Sequence, residues 1–216
     1  MVYRVFWIIF VPLIRLYWRL RYTGLENVPR STGAIIASNH FAAPDPIFIC
    51  SGFWRQVSWL AKVELVKTRR IAWFFRGAGV ITVDREAPDD AWIPLACTHL
   101  AKRGLFGVFP EGTRSPDGRV YRAYTGVSRI AHASGMPVIP AGIVGSNLSH
   151  RKGKRLARPV PCRVHVGTPM YFEILPGEDE AAAYRRFADE VMDRVADLIG
   201  AERVRDRYSR ERKRAS

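Results

Sequence analysis

Beyond Gly24, six apolar runs of strand length alternate with segments long enough for helices, and that alternation constrains the fold more than any other feature. The runs lie at 34–37, 57–61, 80–83, 105–109, 138–144 and 163–167 and are rich in β-branched residues, as strands are. Residues 46–53, 62–75, 89–102 and 126–134 fill the gaps with helical length. Strands separated by helices need crossover connections, which lay them mostly parallel. Tyr184, Phe187, Ala188, Val191, Val195 and Leu198 then recur at steps of three and four, one apolar stripe that should close over the sheet. The expectation is a single α/β domain over 23–200, with a largely parallel mixed sheet flanked by helices.

Both ends of the chain differ from this middle. In MVYRVFWIIFVPLIRLYWRLRY the uncharged run between Arg4 and Arg15 is ten residues long. As helix it reaches roughly 15 Å, against about 30 Å of bilayer hydrocarbon, so it is too short to span. At 100° per residue Arg4, Arg15 and Arg19 share one side of a helical wheel, opposite Phe6, Phe10, Leu13 and Tyr17. Residues 1–22 therefore read as an amphipathic helix at a membrane interface, with its arginines at lipid phosphates. A signal peptide would need small residues at a cleavage site, and bulky RLYWRLRY stands there instead. Residues 201–216 form a basic tail that reads as frayed.

The net charge of +14 implies an attraction to polyanions, whether anionic membrane, phosphorylated substrate or nucleic acid. No nucleic-acid fingerprint accompanies it, so no nucleic-acid partner is expected. The loop cluster His150-Arg151-Lys152-Gly153-Lys154-Arg155 adds to the positive surface. Cys50, Cys97 and Cys162 are odd in number and far apart, which suits reduced thiols rather than a disulfide framework. No ligand-spaced cluster of histidine, cysteine or carboxylate points to a metal.

The chemistry concentrates in IIASNHFAAPDPIFI, residues 35–49. His40 stands where a buried strand ends, at the end of a sheet where ligand crevices form. Asp45, before Pro46, reads as a helix N-cap within reach of the imidazole. A carboxylate on one ring nitrogen makes the other a base. No GxSxG-type nucleophile accompanies the pair, so the base should activate an external hydroxyl. In GVFPEGTRSPDG, residues 107–118, an apolar run opens into Glu111, Gly112, Thr113 and Arg114. Glycine allows close backbone approach, while the hydroxyl and guanidinium suit phosphate oxygens. Arg85 ends a third apolar run, GAGVITVDR.

In this order, Asn39-His40 with Asp45, Gly79 to Arg85, Phe109 to Ser115 and Val138 to Ile143 resemble the four sequence blocks of the glycerolipid acyltransferases. The resemblance covers about residues 20–175. It implies a glycerol-3-phosphate acyltransferase-like fold and a His40 general base oriented by Asp45. It further implies acceptor binding by Lys62, Arg85, Glu111, Gly112, Thr113 and Arg114, and a pocket shaped by Asn39 and Pro140. The acyl donor would be acyl-CoA or acyl carrier protein, as a substrate, with neither cofactor nor metal. The acceptor would be a lysophospholipid, 1-acyl-sn-glycerol-3-phosphate first, with lyso-ornithine lipid or lysocardiolipin as alternatives. The setting would be an anionic membrane surface, peripheral or monotopic, on the cytoplasmic face. Thr125 precedes Gly126 where many members carry lysine, a place Arg122 or Arg129 could fill. A basic, non-catalytic membrane-binding module is the reading from another class.

Overall fold

The computed structural model describes residues 2–62, 81–83, 91–149 and 158–208. Strands β1 (Arg21–Thr23), β2 (Ala34–Ser38), β3 (Val57–Lys62), β4 (Ile81–Val83), β5 (Leu105–Val108), β6 (Val138–Val144) and β7 (Arg163–Val166) form one sheet, in the order β1-β7-β6-β2-β5-β3-β4. Every neighbouring pair is parallel except β6 with β7. The described helices are α1 (Val2–Tyr17), α2 (Asp45–Gly52), α3 (Ile93–Ala101), α4 (Gly126–Ser134), the single turn α5 (Ser146–Ser149) and α6 (Glu180–Ile199). The expected fold class is the observed one. The helix expected at 62–75 lies, beyond Lys62, outside the described residues, as does the basic cluster at 150–155.

Side-chain alternation along β2 explains why helices cover both faces. Ile35 and Ala37 join Leu100, Ile130, Phe187, Val191 and Val195 under α3, α4 and α6. Ala34 and Ile36 join Phe48, Ile49, Ile139 and Ile143 under α2 and the end of α1. The apolar stripe of α6 packs as its periodicity requires. Asp179 caps that helix through the N–H of Ala182 at 2.7 Å, and Gly200, at φ +62°, ends it. A three-residue edge strand such as β1 leaves no periodic signal.

The two chain ends depart from expectation. The protein meets α1 through Tyr3, Val11 and Ile14 and leaves Val5, Ile8, Ile9, Phe10, Leu13, Leu16 and Tyr17 exposed. Arg15, expected at lipid phosphates, turns inward. Its Nε donates to the Ser51 carbonyl at 3.1 Å, and its guanidinium lies over the rings of Trp7 and Tyr22. The outward face is largely apolar, as expected of an interface helix, and of the arginines within α1 only Arg4 is exposed. Among the described residues no helix is long and apolar enough to cross a membrane.

At the other end, residues 201–208 do not fray but dock as a strap beside residues 120–122. Val120 donates to the Glu202 carbonyl at 3.0 Å, Val204 to Val120 at 2.8 Å and Arg122 to Asp206 at 3.1 Å. Arg203, half-buried, pairs with Asp189 at 3.0 Å and Asp193 at 3.1 Å on α6. Residues 209–216 lie outside the described residues.

Candidate active site

The register of the two central strands builds the site. Ala37 pairs with Val108, so three residues further along each strand His40 and Glu111 emerge side by side. Asn39, fully buried, locks the exit of β2 onto β6. Its Nδ2 donates to the Ile143 carbonyl at 3.0 Å and its Oδ1 accepts the Ile143 N–H at 2.7 Å.

Asp45 occupies the first turn of α2, but its side chain caps nothing ahead of it, contrary to the N-cap expectation; Pro44 takes the cap position. The carboxylate instead closes the turn behind it. Oδ2 accepts from His40 Nδ1 at 2.9 Å and from the N–H groups of Phe41 and Ala42, each at 2.7 Å. Three donors on one oxygen, at a helix amino terminus, offset the cost of burying this charge completely. Its other oxygen, Oδ1, is buried with no hydrogen-bond partner among the described residues. With Nδ1 donating to Asp45, the neutral imidazole presents a bare Nε2, which meets no protein partner among the described residues. The side chain is 18% exposed, enclosed yet reachable.

An aromatic column fixes the plane of that ring. Phe109 stacks on His40 with centroids 4.1 Å apart and planes 15° apart, and Trp59 stacks on Phe109 at 4.7 Å and 20°. Gly107 leaves room for this, since a Cβ there would come within 2.6 Å of the indole. The sequence reading missed Trp59 altogether and counted Phe109 only as part of a motif. An aromatic in each of the apolar runs at 57–61 and 105–109 was the available signal.

The second loop holds the main chain of His40. Ser115 N–H donates to the His40 carbonyl at 2.8 Å, and the His40 N–H points at Glu111 Oε1 at 3.4 Å. Glu111 Oε2 accepts the N–H of Tyr121 at 3.0 Å. Burial raises the Glu111 carboxyl to about 7, with the two N–H donors pulling the other way. Gly112, at φ +68°, turns the chain and lies against the Tyr124 ring, which a Cβ would approach to 2.9 Å. Beyond it, Thr113 is half-buried and Arg114 exposed, and among the described residues neither side chain has a partner within the protein.

The structure therefore brings together His40, Asp45, Asn39, Glu111, Gly112, Thr113 and Arg114. Pro140 stands further back in β6, paired with Ala37 and packed against Gly167 on the α6 side of the sheet. Lys62 ends β3 with its side chain outside the described residues, and Arg85 lies outside them altogether. Of the two arginines weighed for the Thr125 position, Arg129 lies 6.0 Å over the Tyr184 ring of α6, while Arg122 is half-buried beside the strap. Burial pushes the thiols of Cys50 and Cys162 up to about 12, so neither is a nucleophile at neutral pH.

Comparison with known proteins points to one family. The model of the Acyltransferase family matches residues 19–144. The 1-acyl-sn-glycerol-3-phosphate acyltransferase of Bacillus subtilis is 29% identical over 162 residues, covering 73% of this chain and 78% of its own length. The protein of the same name from Pseudomonas aeruginosa is 33% identical over 138 residues, covering 59% of this chain and 51% of its own. This chain thus spans about half of the Pseudomonas protein. The crystal structure of PlsC, the 1-acyl-sn-glycerophosphate acyltransferase of Thermotoga maritima, superposes with a TM-score of 0.68 at 27% identity. The superposition covers 87% of this chain and 79% of that one.

Proposed function

This chain belongs to the acyltransferase family, and within it we propose that it moves an acyl chain from a thioester to the free hydroxyl of 1-acyl-sn-glycerol-3-phosphate, giving phosphatidic acid. The observation that carries the reading is the bare Nε2 of a histidine whose Nδ1 is held by a fully buried aspartate, beside an open loop of hydroxyl and guanidinium. Nε2 takes the proton of the acceptor hydroxyl as its oxygen attacks the thioester carbonyl. Asp45 balances the imidazolium so formed. Collapse of the tetrahedral intermediate expels the thiolate, which recovers the proton from His40, leaving ester and free thiol. Thr113 and Arg114 take the acceptor's phosphate, and the donor is acyl-CoA or acyl carrier protein. The names of the relatives support the choice of acceptor.

Free-thiol release from acyl-CoA in neutral detergent micelles, with and without lysophosphatidic acid, tests this. Release should require the acceptor, and His40→Ala should lose about 10²- to 10⁴-fold, the weight of general-base catalysis. Folded wild-type protein that releases no thiol with any lysolipid or either donor would leave the non-catalytic module.

The setting is the cytoplasmic face of the cell membrane, with the exposed side of α1 laid into the lipid interface. Supporting this is the unbroken apolar surface of Ile8, Ile9, Leu13 and Leu16. The double variant Leu13→Ser, Leu16→Ser should bind phosphatidylglycerol vesicles at least tenfold more weakly in sedimentation. Unchanged binding would remove α1 from the interface.

A further inference from the structure

The strap at residues 201–208 lies outside the span matched by the family model, yet it is wired into the acceptor side of the site. Its main chain pairs with residues 120–122, and the N–H of Tyr121 is held by the same Glu111 that reaches the His40 N–H. Two of its arginines are consumed by α6: Arg203 by Asp189 and Asp193, Arg205 by Asp193 at 3.0 Å.

Arg207 is treated differently. It is exposed, has no carboxylate within ion-pair distance among the described residues, and lays its guanidinium 4.2 Å over the ring of Tyr124. Tyr124 in turn is pinned to the second loop. Its N–H donates to the Pro110 carbonyl at 2.8 Å, and its ring edge fills the space beside Gly112. One aromatic ring therefore separates Arg207 from the turn that carries Thr113 and Arg114. Stacking on a ring fixes the plane of a guanidinium while leaving its N–H edge open, the arrangement that receives two oxygens of a phosphate.

We propose that the strap completes the acceptor site, with Arg207, held on Tyr124, as a contact for the phosphate monoester of the acceptor. This rests on the acceptor reading above. The chemistry separates Arg207 from the paired strap arginines. A guanidinium already paired with aspartate, as Arg203 is with two and Arg205 with one, has less to offer a ligand, whereas a stacked one keeps its charge and its donors.

The test is steady-state kinetics of the full chain in neutral detergent micelles, varying lysophosphatidic acid and acyl-CoA separately. Arg207→Gln should raise KM for lysophosphatidic acid about tenfold with kcat within twofold and KM for acyl-CoA unmoved, the loss of one charge-assisted contact. Arg207→Lys should recover part of that loss. Arg194→Gln, which removes an exposed charge from α6, should change neither constant. The proposal is overturned if KM for lysophosphatidic acid stays put in Arg207→Gln, if KM for acyl-CoA rises instead, or if Arg194→Gln has the same effect. Wild-type protein that turns over no lysophosphatidic acid would sink the acceptor reading first and this inference with it, an outcome distinct from an active enzyme indifferent to position 207.

Discussion

Two buried carboxylates flank His40, and they hold different parts of it. Asp45 takes the imidazole, along with two N–H groups of the turn that follows. Glu111 takes the main-chain N–H, along with that of Tyr121. Both accept from backbone donors and both lie under the surface, Asp45 fully and Glu111 at 4% exposure. One reaches the imidazole; the other reaches the main chain that carries it. A buried acid beside a histidine can balance a charge on the ring only when it bonds to the ring itself. The resemblance implied that Glu111 serves the acceptor; in the structure its two oxygens face inward, onto the N–H groups of His40 and Tyr121.

The largest effect that would sharpen this contrast belongs to Asp45→Asn. Asparagine can place its oxygen where Oδ2 stands and keep the backbone bonds, so the fold should persist while the imidazolium loses its counter-charge. Turnover in the thiol-release assay should fall by roughly 10² or more. A folded variant with near wild-type kcat would show that Asp45 only builds the turn.

Glu111→Gln should have a smaller effect on turnover and a clear one on stability. One end of the glutamine must point its NH2 at a backbone N–H, leaving a buried donor unmet at a cost of about 1–3 kcal/mol. The pH dependence separates this from simple damage. In the native protein Glu111 holds its proton up to about 7, whereas unfolded chain releases it near the ordinary 4.5. Between those values the native state binds more protons, so the contribution of Glu111 is complete below about 4.5 and is lost as pH rises through about 7. Urea unfolding between pH 4.5 and 8 should show wild type losing stability relative to Glu111→Gln as pH rises. A constant difference would mean that Glu111 is ionised throughout, and the contrast between the two carboxylates would narrow.

The His40–Asp45 pair was legible because it is local. Five residues and one proline limit how that turn can close, and the contact follows from short-range geometry. Even there the sequence placed Asp45 as a forward helix cap, while the structure turns it back on Phe41 and Ala42. The inward role of Glu111 was hidden, since it depends on the register that pairs Ala37 with Val108. The column of His40, Phe109 and Trp59 needs β2, β5 and β3 laid side by side.

The chain ends separate the two kinds of information most sharply. Apolar periodicity by itself determined that the first helix is two-sided, that β2 is buried on both faces and that α6 seals the sheet, because spacing along a chain repeats as spacing around an element. It did not determine which side of α1 meets the protein. The Ser51 carbonyl and the rings of Trp7 and Tyr22 decided that, by drawing Arg15 inward. Nor could a run of charges announce that residues 201–208 are ordered, since Asp189 and Asp193 stand on α6 and act only once the fold brings them to Arg203. Periodicity is a property of neighbours in the chain. The partner of a charge is a property of neighbours in space.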